Sequence, residues 1–333
     1  MSLRSEIFEQ PEALRQALAT NQSTTSQVRN IITASDIKHI VIAARGTSDN
    51  AARYAKYVWS GRLATPVTLA APSLYTRYDS PPNLSAAAVV GISQSGQSPD
   101  LLAVLEEGRR QNRPTVAITN EPESPMGVLA DVVVPLRAGP ELSVAATKSY
   151  TASLLAVAMI AGSSDIGDGL ADAVTGALAT EDAVAEAVER MGGMQDAVVL
   201  GRGYNRSTAF EWALKLQEMA YVLANPFSTA DFAHGPFAVL EPDFPLLAVV
   251  PEGVMTDDAL SIVKRARDER NARIAILTDA DIDLPSVRVP HAGEWLSPIV
   301  FIVAAQLFTL HAAHAAGIDP ESPRGLSKVT KTT

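Results

Sequence analysis

The sequence predicts an α/β protein in which one parallel-sheet unit occurs twice. The first observation is alternation: the apolar, β-branched run "HIVIAARG" is followed by the helix-like "TSDNAARYAKYVWSGR", and further pairs of this kind follow. Strands that alternate with helices in this way form parallel sheets with helices on both faces. The second observation is a repeat, because Gly46 and Gly96 correspond to Gly203 and Gly253 at one offset of 157 residues (203 − 46 and 253 − 96).

Three further strands are predicted in the first copy, from the runs "SAAAVVGIS", "RPTVAITN" and "ADVVVPL". Residues 8–34 predict one or two amphipathic helices, and "AATKSYTASLLAVAMIAG" predicts a long apolar helix. The chain is therefore divided into an N-terminal helical segment 1–34, a first domain 35–165, a connecting helix 166–192, a second domain 193–318 and a C-terminal tail 319–333. Each domain is expected to be a flavodoxin-like, three-layer α/β/α unit.

Composition and charge restrict the kind of protein this is. Of 333 residues, 47% are hydrophobic and 19% charged, which is enough apolar sequence to bury the cores of about two domains. The chain has no cysteine, which excludes disulfides, cysteine nucleophiles and thiolate metal sites. A net charge of −10 without a basic cluster argues against nucleic acid and anionic membranes as partners.

Two features of the sequence predict the cellular location of the protein. The N-terminal "MSLRSEIFEQPEALR" is charged and amphipathic and lacks the apolar core of a signal peptide. The longest apolar stretches, such as "SLLAVAMIAG", are taken to be too short to span a bilayer. We therefore expect a soluble cytoplasmic protein.

The loop "GISQSGQSPD" concentrates groups that bind anions. Ser98 precedes a proline and an acid, which is typical of a helix N-terminus with serine as the N-cap. The loop before it therefore lies over unpaired helix N–H groups, where Ser93 and Ser95 add hydroxyl donors. Gly96 lets the backbone approach a ligand closely. Because the loop has no lysine, a phosphomonoester of a small metabolite fits it better than a nucleoside triphosphate.

The repeat separates what the fold needs from what a ligand needs. The second copy keeps the glycine turn but has "PEGVMTD" where the first has "SQSGQSPD", so only the first copy carries the hydroxyls. This asymmetry favours a phosphate site over the alternative, an ordinary serine-capped turn. Ser48 in the neighbouring strand–helix loop is a further donor, since open α/β sheets bind ligands at the carboxyl ends of their strands.

Five stretches of the chain occur in a recognisable order: "ARGTSDNAARYAKY", "ISQSGQSPDLLAVL", "RAGPELSVAATKSYTASL", "LGRGYNRSTAFEWALKLQEMAYVLANPFSTADFAHGP" and "SPRGLSKVT". Together they resemble the isomerase half of glucosamine-6-phosphate synthase, a tandem of two sugar-isomerase (SIS) domains. The resemblance covers nearly the whole chain. The glutaminase half of that enzyme has no counterpart in the sequence, so we expect a stand-alone double-SIS protein, of the kind described as glucosamine-6-phosphate deaminases or phosphosugar isomerases.

The resemblance implies two sets of ligand-binding residues. The sugar phosphate would be held by Ser48, Ser93, Gln94, Ser95 and Ser98, the last of which stands where the synthase has threonine. The sugar itself would be contacted by Val144, through its backbone, by Thr147 and by Ser327.

The same resemblance implies a set of catalytic residues. Glu218 would move the proton between C1 and C2, with Lys215 three residues earlier on the same helical face. His234 would assist ring opening, reaching in from a second subunit, and Lys328 in the tail would form a Schiff base with the open-chain ketose. Without the resemblance, these side chains would be read as a solvated helix glutamate, a loop-capping histidine and a lysine in a frayed tail.

Four positions depart from the family pattern: Arg45 replaces a cysteine, Gln217 a lysine, Asp231 a glutamate and Ser327 an alanine. Arg45 lies next to a glycine turn, where it would crowd the phosphate loop or add a charge to it. Either effect would alter the sugar preference.

We therefore expect a homodimeric phosphosugar isomerase or deaminase, without metal or organic cofactor, that acts on an amino-sugar or ketose 6-phosphate. In its most concrete form it converts glucosamine 6-phosphate to fructose 6-phosphate and ammonia. Two other enzymes are open alternatives: a plain aldose–ketose isomerase, and a synthase-like subunit that takes ammonia from elsewhere. A third alternative is a non-catalytic sugar-phosphate sensor. The sensor is disfavoured because binding a phosphate needs only the serine loop, whereas the chain also retains Glu218, His234 and Lys328.

Overall fold

The computed structural model describes residues 2–167 and 169–328, and these residues form two compact units. The first-sheet unit contains residues 12–141, 148–167 and 327–328. The second-sheet unit contains residues 2–11, 142–147 and 169–326. Each unit is built around one five-stranded sheet.

The elements up to residue 167 are α1 (Leu3–Phe8), α2 (Gln10–Thr20), α3 (Gln22–Ile32), β1 (His39–Ala43), α4 (Thr47–Arg62), β2 (Val67–Leu69), α5 (Ser73–Thr76), β3 (Ala87–Ser93), α6 (Pro99–Arg110), β4 (Thr115–Thr119), α7 (Pro125–Leu129), β5 (Val132–Pro135) and α8 (Lys148–Gly162). The elements after residue 168 are α9 (Gly169–Leu178), α10 (Glu181–Met191), β6 (Asp196–Leu200), α11 (Arg206–Met219), β7 (Leu223–Phe227), α12 (Thr229–Ala233), β8 (Pro245–Val250), α13 (Thr256–Arg270), β9 (Arg273–Thr278), β10 (Ser286–Arg288) and α14 (Ser297–Ala315).

The two sheets have the same topology. The first has the order β2-β1-β3-β4-β5 and the second, read from its other edge, β7-β6-β8-β9-β10, with every pair parallel. Numbered within each unit, both orders are 2-1-3-4-5, which is the flavodoxin-like arrangement. The predicted fold class and the predicted internal repeat are confirmed.

The central strands explain why these sequences form parallel sheets. All seven residues of β3 are buried, because helices cover both faces of the strand and leave no solvated side. The edge strands β2 and β7 were not predicted from the sequence. β2 has three residues, and β7 contains Pro226, which is tolerated only because an edge strand leaves one row of N–H groups unpaired.

One helix of each unit is apolar on all sides and packs in the core. All fifteen residues of α8 are buried, and the indole N–H of Trp59 on α4 donates to the carbonyl of Val157 at 2.9 Å. In the second-sheet unit, the ring of Trp212 on α11 meets Phe308 on α14 edge-on, with the centroids 5.1 Å apart. The predicted long apolar helix is α8.

Two expectations from the sequence need correction. No apolar stretch was expected to be long enough to span a bilayer, but α14 has 19 residues and meets that criterion by length and composition. Because 83% of its apolar window is buried inside the chain, a core helix accounts for the pattern. The single connecting helix predicted over 166–192 is two helices, α9 and α10. Residues 8–34 hold the two helices α2 and α3, as predicted, and α1 precedes them.

Candidate functional site

The serine loop lies between β3 and α6, as the sequence predicts. β3 ends at Ser93, Ser98 is the N-cap of α6 and Pro99 is its first residue. The Ser98 side chain makes no capping hydrogen bond to its own helix, so its hydroxyl remains available to a ligand. β1 pairs with β3, and the loop that carries Ser48 therefore follows the neighbouring strand at the same edge of the sheet.

Bonds to the neighbouring β4–α7 segment fix the shape of the loop. Gly96 adopts a φ of +60°, and a Cβ at this position would collide with Oγ of Ser124. Ser124 cannot move freely, because its Oγ accepts the N–H of Gly127 at 3.3 Å and caps α7. The carbonyl of Gly96 accepts the N–H of Met126 at 3.1 Å, and the N–H of Gly96 donates to Oγ of Ser93 at 3.1 Å.

This arrangement leaves several donors without acceptors. Within the described residues, the backbone N–H groups of Ser95, Gln97 and Ser98 make no hydrogen bond, and neither do the hydroxyls of Ser48, Ser95 and Ser98. The adjacent N–H groups of Gln97 and Ser98, with that of Ser95 on the other side of Gly96, give this rigid turn the donors of an anion-binding concavity. The Ser93 hydroxyl oxygen closes the turn by accepting the Gly96 N–H, while the hydroxyl hydrogen remains available to a ligand.

Arg45 joins the two loops that carry the predicted phosphate ligands. Its Nε lies 2.7 Å from Oδ2 of Asp100, in the first turn of α6. The Asp100 side chain is 1% exposed, whereas the Arg45 side chain is 51% exposed. Of the two effects expected from this departure, the structure shows an added charge that is anchored at the end of the loop.

A second constellation lies on α11. Nζ of Lys215 is 3.5 Å from Oε1 of Glu211 and in closer contact with Oε2 of Glu218. The Lys215 and Glu211 side chains are fully buried, while Glu218 is 25% exposed. The spacings of three and four residues bring all three side chains to one face of the helix. The Glu218 carboxylate is therefore partly exposed to a ligand on one side and in contact with the buried Lys215 ammonium on the other.

Lys328 is paired within the first-sheet unit. Its Nζ donates to Oε2 of Glu141 at 2.8 Å, and the same carboxylate accepts the N–H and Oγ of Ser149 at 3.0 and 2.7 Å. Burial acts to raise the pKa of Glu141, but the Lys328 charge and the hydrogen bonds from Lys328 and Ser149 together hold it below its usual value. Glu141 is therefore an ionised group that both caps the first turn of α8 and anchors the tail.

The SIS domain family model matches residues 34–162 and 195–316, which is most of the chain. The chain belongs to the SIS-domain family. Glutamine–fructose-6-phosphate aminotransferase (isomerizing) of Thermococcus kodakarensis is 33% identical over 97% of this chain and 56% of its own length. The chain thus spans about half the length of the curated relatives that it matches.

Two solved structures share the tandem SIS architecture over the whole chain. The C-terminal domain of the glucosamine–fructose-6-phosphate aminotransferase from Francisella tularensis has a TM-score of 0.85 at 28% identity and covers 96% of both chains. A protein described as a phosphosugar isomerase, from Silicibacter pomeroyi, has a TM-score of 0.83 at 29% identity, covering 96% of this chain and 99% of its own. The resemblance stated from the motifs is confirmed.

The second SIS domain carries a different group at the corresponding loop. The N–H of Val254 donates to Oε2 of Glu294 at 3.2 Å, and a Cβ on Gly253 would collide with the same carboxyl group. A side chain of the protein therefore occupies the turn that the first SIS domain leaves open. The arginine pair, by contrast, is repeated, because Nη1 of Arg202 lies 2.6 Å from Oδ2 of Asp258.

The remaining predicted residues are dispersed. His234 is the exposed C-cap of α12, and within the described residues its ring makes no contact with Glu218 or Lys215. Thr147 is fully buried, and its carbonyl accepts from Gln306 at 3.5 Å. Val144 is half-buried and Ser327 exposed. Their roles toward a sugar stay predictions.

The tail is anchored before it reaches Lys328. Oε1 of Glu321 accepts the N–H of Leu3 at 2.6 Å, and the hydroxyl of Tyr221 accepts the N–H of Arg324 at 2.8 Å. The Arg324 guanidinium also lies 4.0 Å from the centre of the Tyr221 ring. These two residues line an open cavity of about 760 Å³ in the second-sheet unit, which none of the predicted site residues lines.

Sequence reasoning missed three charged residues that contact the predicted ones: Asp100, Glu141 and Glu211. Glu211 had a signal, because Glu, Lys and Glu recur at helical spacing in the otherwise apolar "AFEWALKLQEMA". Glu141 and Asp100 had none, because their partners are distant in sequence.

Proposed function

We propose that this protein is an isomerising phosphosugar enzyme, and in its most specific form a glucosamine-6-phosphate deaminase. The observation that carries the proposal is the Glu211–Lys215–Glu218 array on α11. Burying a lysine between carboxylates costs solvation energy, and hydrophobic replacements of such groups are often neutral or stabilising. A binding protein needs only the serine loop, so the array is a reason to propose catalysis.

In the proposed reaction, the serine loop holds the 6-phosphate of the sugar. His234 assists ring opening to the aldehyde, and the Glu218 carboxylate then removes the proton from C2. Returning that proton to C1 converts the open-chain amino sugar to an imine at C2. Water adds to this imine and ammonia leaves, which gives fructose 6-phosphate. The contact with Lys215 holds the Glu218 carboxylate in a fixed position on α11.

In the proposed reaction, Lys328 forms an imine with the sugar only after its ion pair with Glu141 breaks. As an amine it would displace ammonia from C2 to form its own imine, which water then hydrolyses. In this structure the ammonium is bonded to Glu141, so imine formation requires that pair to break and the amine to lose a proton. A cytoplasmic location, which fits the absence of cysteine, and a homodimer are also parts of the proposal.

An assay with glucosamine 6-phosphate tests the central claim. The expected result is equal release of ammonia and fructose 6-phosphate by the wild type and loss of both in the Glu218→Gln variant. Tight binding without either product would contradict catalysis and favour the sensor. Fructose 6-phosphate formed from glucose 6-phosphate, with no ammonia from the amino sugar, would identify a plain isomerase.

Subunit mixing tests the assignment of His234. If this histidine serves the site of a neighbouring subunit, Glu218→Gln and His234→Ala chains are each inactive alone but active when mixed. In the mixed dimer, one site combines an intact Glu218 with an intact His234. Activity that stays absent on mixing, in a sample shown to exchange subunits, would place His234 in its own chain's site or outside the reaction.

A further inference from the structure

We propose that Arg45 is a ligand of the substrate's phosphate group and sets a preference for dianionic phosphate esters. This inference rests on the proposed function, since it concerns the same sugar-phosphate site. The serine loop contains no lysine or arginine, and the chain as a whole carries a net charge of −10. Hydroxyl and N–H donors alone do not distinguish a phosphate dianion strongly from a singly charged ester, whereas a nearby cation does.

Arg45 stands between the two sets of phosphate donors. Ser48 follows it by three residues, and the Ser48 N–H donates to the Arg45 carbonyl at 3.0 Å. At the other end, the Arg45 guanidinium is bonded to Asp100, two residues after Ser98. The Arg45 backbone is thus bonded in the loop after β1, and its guanidinium is bonded to the helix that follows the loop after β3.

The geometry of the ion pair leaves binding capacity on the guanidinium. Asp100 is contacted by Nε, at 2.7 Å, and within the described residues the two terminal Nη groups of Arg45 have no partner. These groups carry four of the five N–H donors of an arginine and match two phosphate oxygens in a fork. With half of its side chain exposed, Arg45 is open to a ligand while Asp100 restricts its rotamers.

The second SIS domain also contains an arginine–aspartate pair, which allows the two pairs to be compared. Arg202 forms a similar pair with Asp258 in the second SIS domain, one residue beyond the position that the 157-residue offset gives for Asp100, so an arginine–aspartate brace occurs in both domains. The two pairs differ, however, in burial and in mode of contact. Asp258 is 59% exposed and is bonded through Nη1 of its arginine, whereas Asp100 is buried and bonded through Nε. Only in the first pair is the carboxylate buried, and only there do both Nη groups of the arginine have no partner within the described residues.

The test compares Arg45→Met with Arg202→Met, each combined with Glu218→Gln so that no turnover occurs. Binding of glucosamine 6-phosphate and of glucosamine 6-sulfate, a monoanion of similar shape, is measured by calorimetry. Arg45→Met should weaken phosphate binding about ten- to a hundredfold and sulfate binding by only a few fold. Arg202→Met should leave both affinities unchanged.

Three outcomes would overturn the inference while leaving the proposed function intact. They are unchanged phosphate affinity in Arg45→Met, tighter binding in that variant, which would mean that Arg45 crowds the loop, and equal weakening for both esters. If the Glu218→Gln parent binds neither ester, the proposed function itself fails. Comparable unfolding midpoints for the two methionine variants establish that loss of a brace does not explain a difference in affinity.

Discussion

The two SIS domains have the same sheet and opposite specialisations. In the first domain, the loop after the third strand has free N–H and hydroxyl donors around Gly96. In the second domain, the corresponding loop around Gly253 is already bonded to the carboxylate of Glu294. The glycine turn is common to both and belongs to the fold. What differs is whether the turn is left open for an anion from outside.

The helix that follows the first strand is α4 in the first domain and α11 in the second, and here it is the second domain that carries the charged residues. At the repeat offset of 157 residues, the array on α11 is replaced on α4 by uncharged residues: Glu211 by Tyr54, Lys215 by Val58 and Glu218 by Gly61. Both helices are equally buried at the first two of these positions. The first domain therefore has the open serine loop, with uncharged residues in place of the charged array. The second domain has the charged array on α11, with a loop that is bonded to Glu294 in place of the open one. Under the proposed function, one copy would hold the substrate and the other would carry the acid–base chemistry.

The largest expected effect comes from the helix comparison. Glu218→Gln removes the base but keeps the side-chain volume, and kcat should fall about 10²- to 10⁴-fold. Affinity for the sugar phosphate should change by less than about threefold, because the serine loop is untouched. Glu269→Gln, an exposed helix glutamate of the same unit, is the control and should be silent. A large loss of affinity in Glu218→Gln would refute the division of roles.

The loop comparison predicts the next effect. Gly96→Ala introduces a Cβ that collides with Ser124 at a φ of +60°, so sugar-phosphate affinity should fall at least about tenfold and stability by about 1–3 kcal/mol. Gly253→Ala meets Glu294 instead and should reduce stability without changing affinity. Calorimetric titration and urea unfolding measure both quantities. Equal losses of affinity in the two variants would show that the open loop is not the phosphate site.

A smaller effect concerns the pH dependence of the first unit. The pKa of Glu141 is lowered in the folded state, so its ionised form contributes stability above the ordinary carboxyl range. That contribution shrinks as the pH falls below the ordinary glutamate pKa of about 4.3 and is lost through the lowered folded pKa of Glu141. Glu141→Gln should cost about 2 kcal/mol at pH 7 and much less at pH 3. Urea unfolding at both pH values checks this, and a cost that does not shrink in acid contradicts it.

The smallest effect is expected at the closed loop of the second domain. Glu294→Gln keeps an acceptor for the Val254 N–H, and stability should change by less than about 1 kcal/mol. Because this loop lacks the serine hydroxyls, one sugar phosphate should still bind per chain, as counted by calorimetry. A second bound phosphate in this variant would mean that the glutamate alone keeps the second domain from binding.

How far the sequence predicted this structure depended on whether a signal was local. The α6 N-terminus was predicted because Ser98, Pro99 and Asp100 are neighbours in the chain. The break between α9 and α10 was missed although Thr180 followed by two acids is a helix start of the usual kind. Edge strands such as β2 are too short to leave a pattern.

The contacts of the candidate site were harder to predict than its residues. Motifs pointed to Lys328, but nothing in them indicated Glu141, which lies 187 positions earlier and is bonded to Lys328 only through the fold. For the same reason, the sequence identifies Arg45 as a departure from the family pattern but does not indicate that it pairs with Asp100. A buried charge reveals its function only when the group that compensates it is known.

The missing side-chain cap of α6 has a thermodynamic consequence. Without a ligand, the Asp100 N–H in the first turn of this helix has no hydrogen-bond partner within the described residues, whereas the N–H groups of Leu101 and Leu102 donate to the Ser98 carbonyl at 3.1 Å. A bound phosphate would take the place of the absent capping residue, so ligand binding and the order of this helix are linked. The thermal midpoint should rise with phosphate-ester concentration, by the equivalent of about 2.7 kcal/mol at a hundred times Kd. A melting curve recorded over a panel of sugar phosphates therefore ranks substrates before any product is assayed.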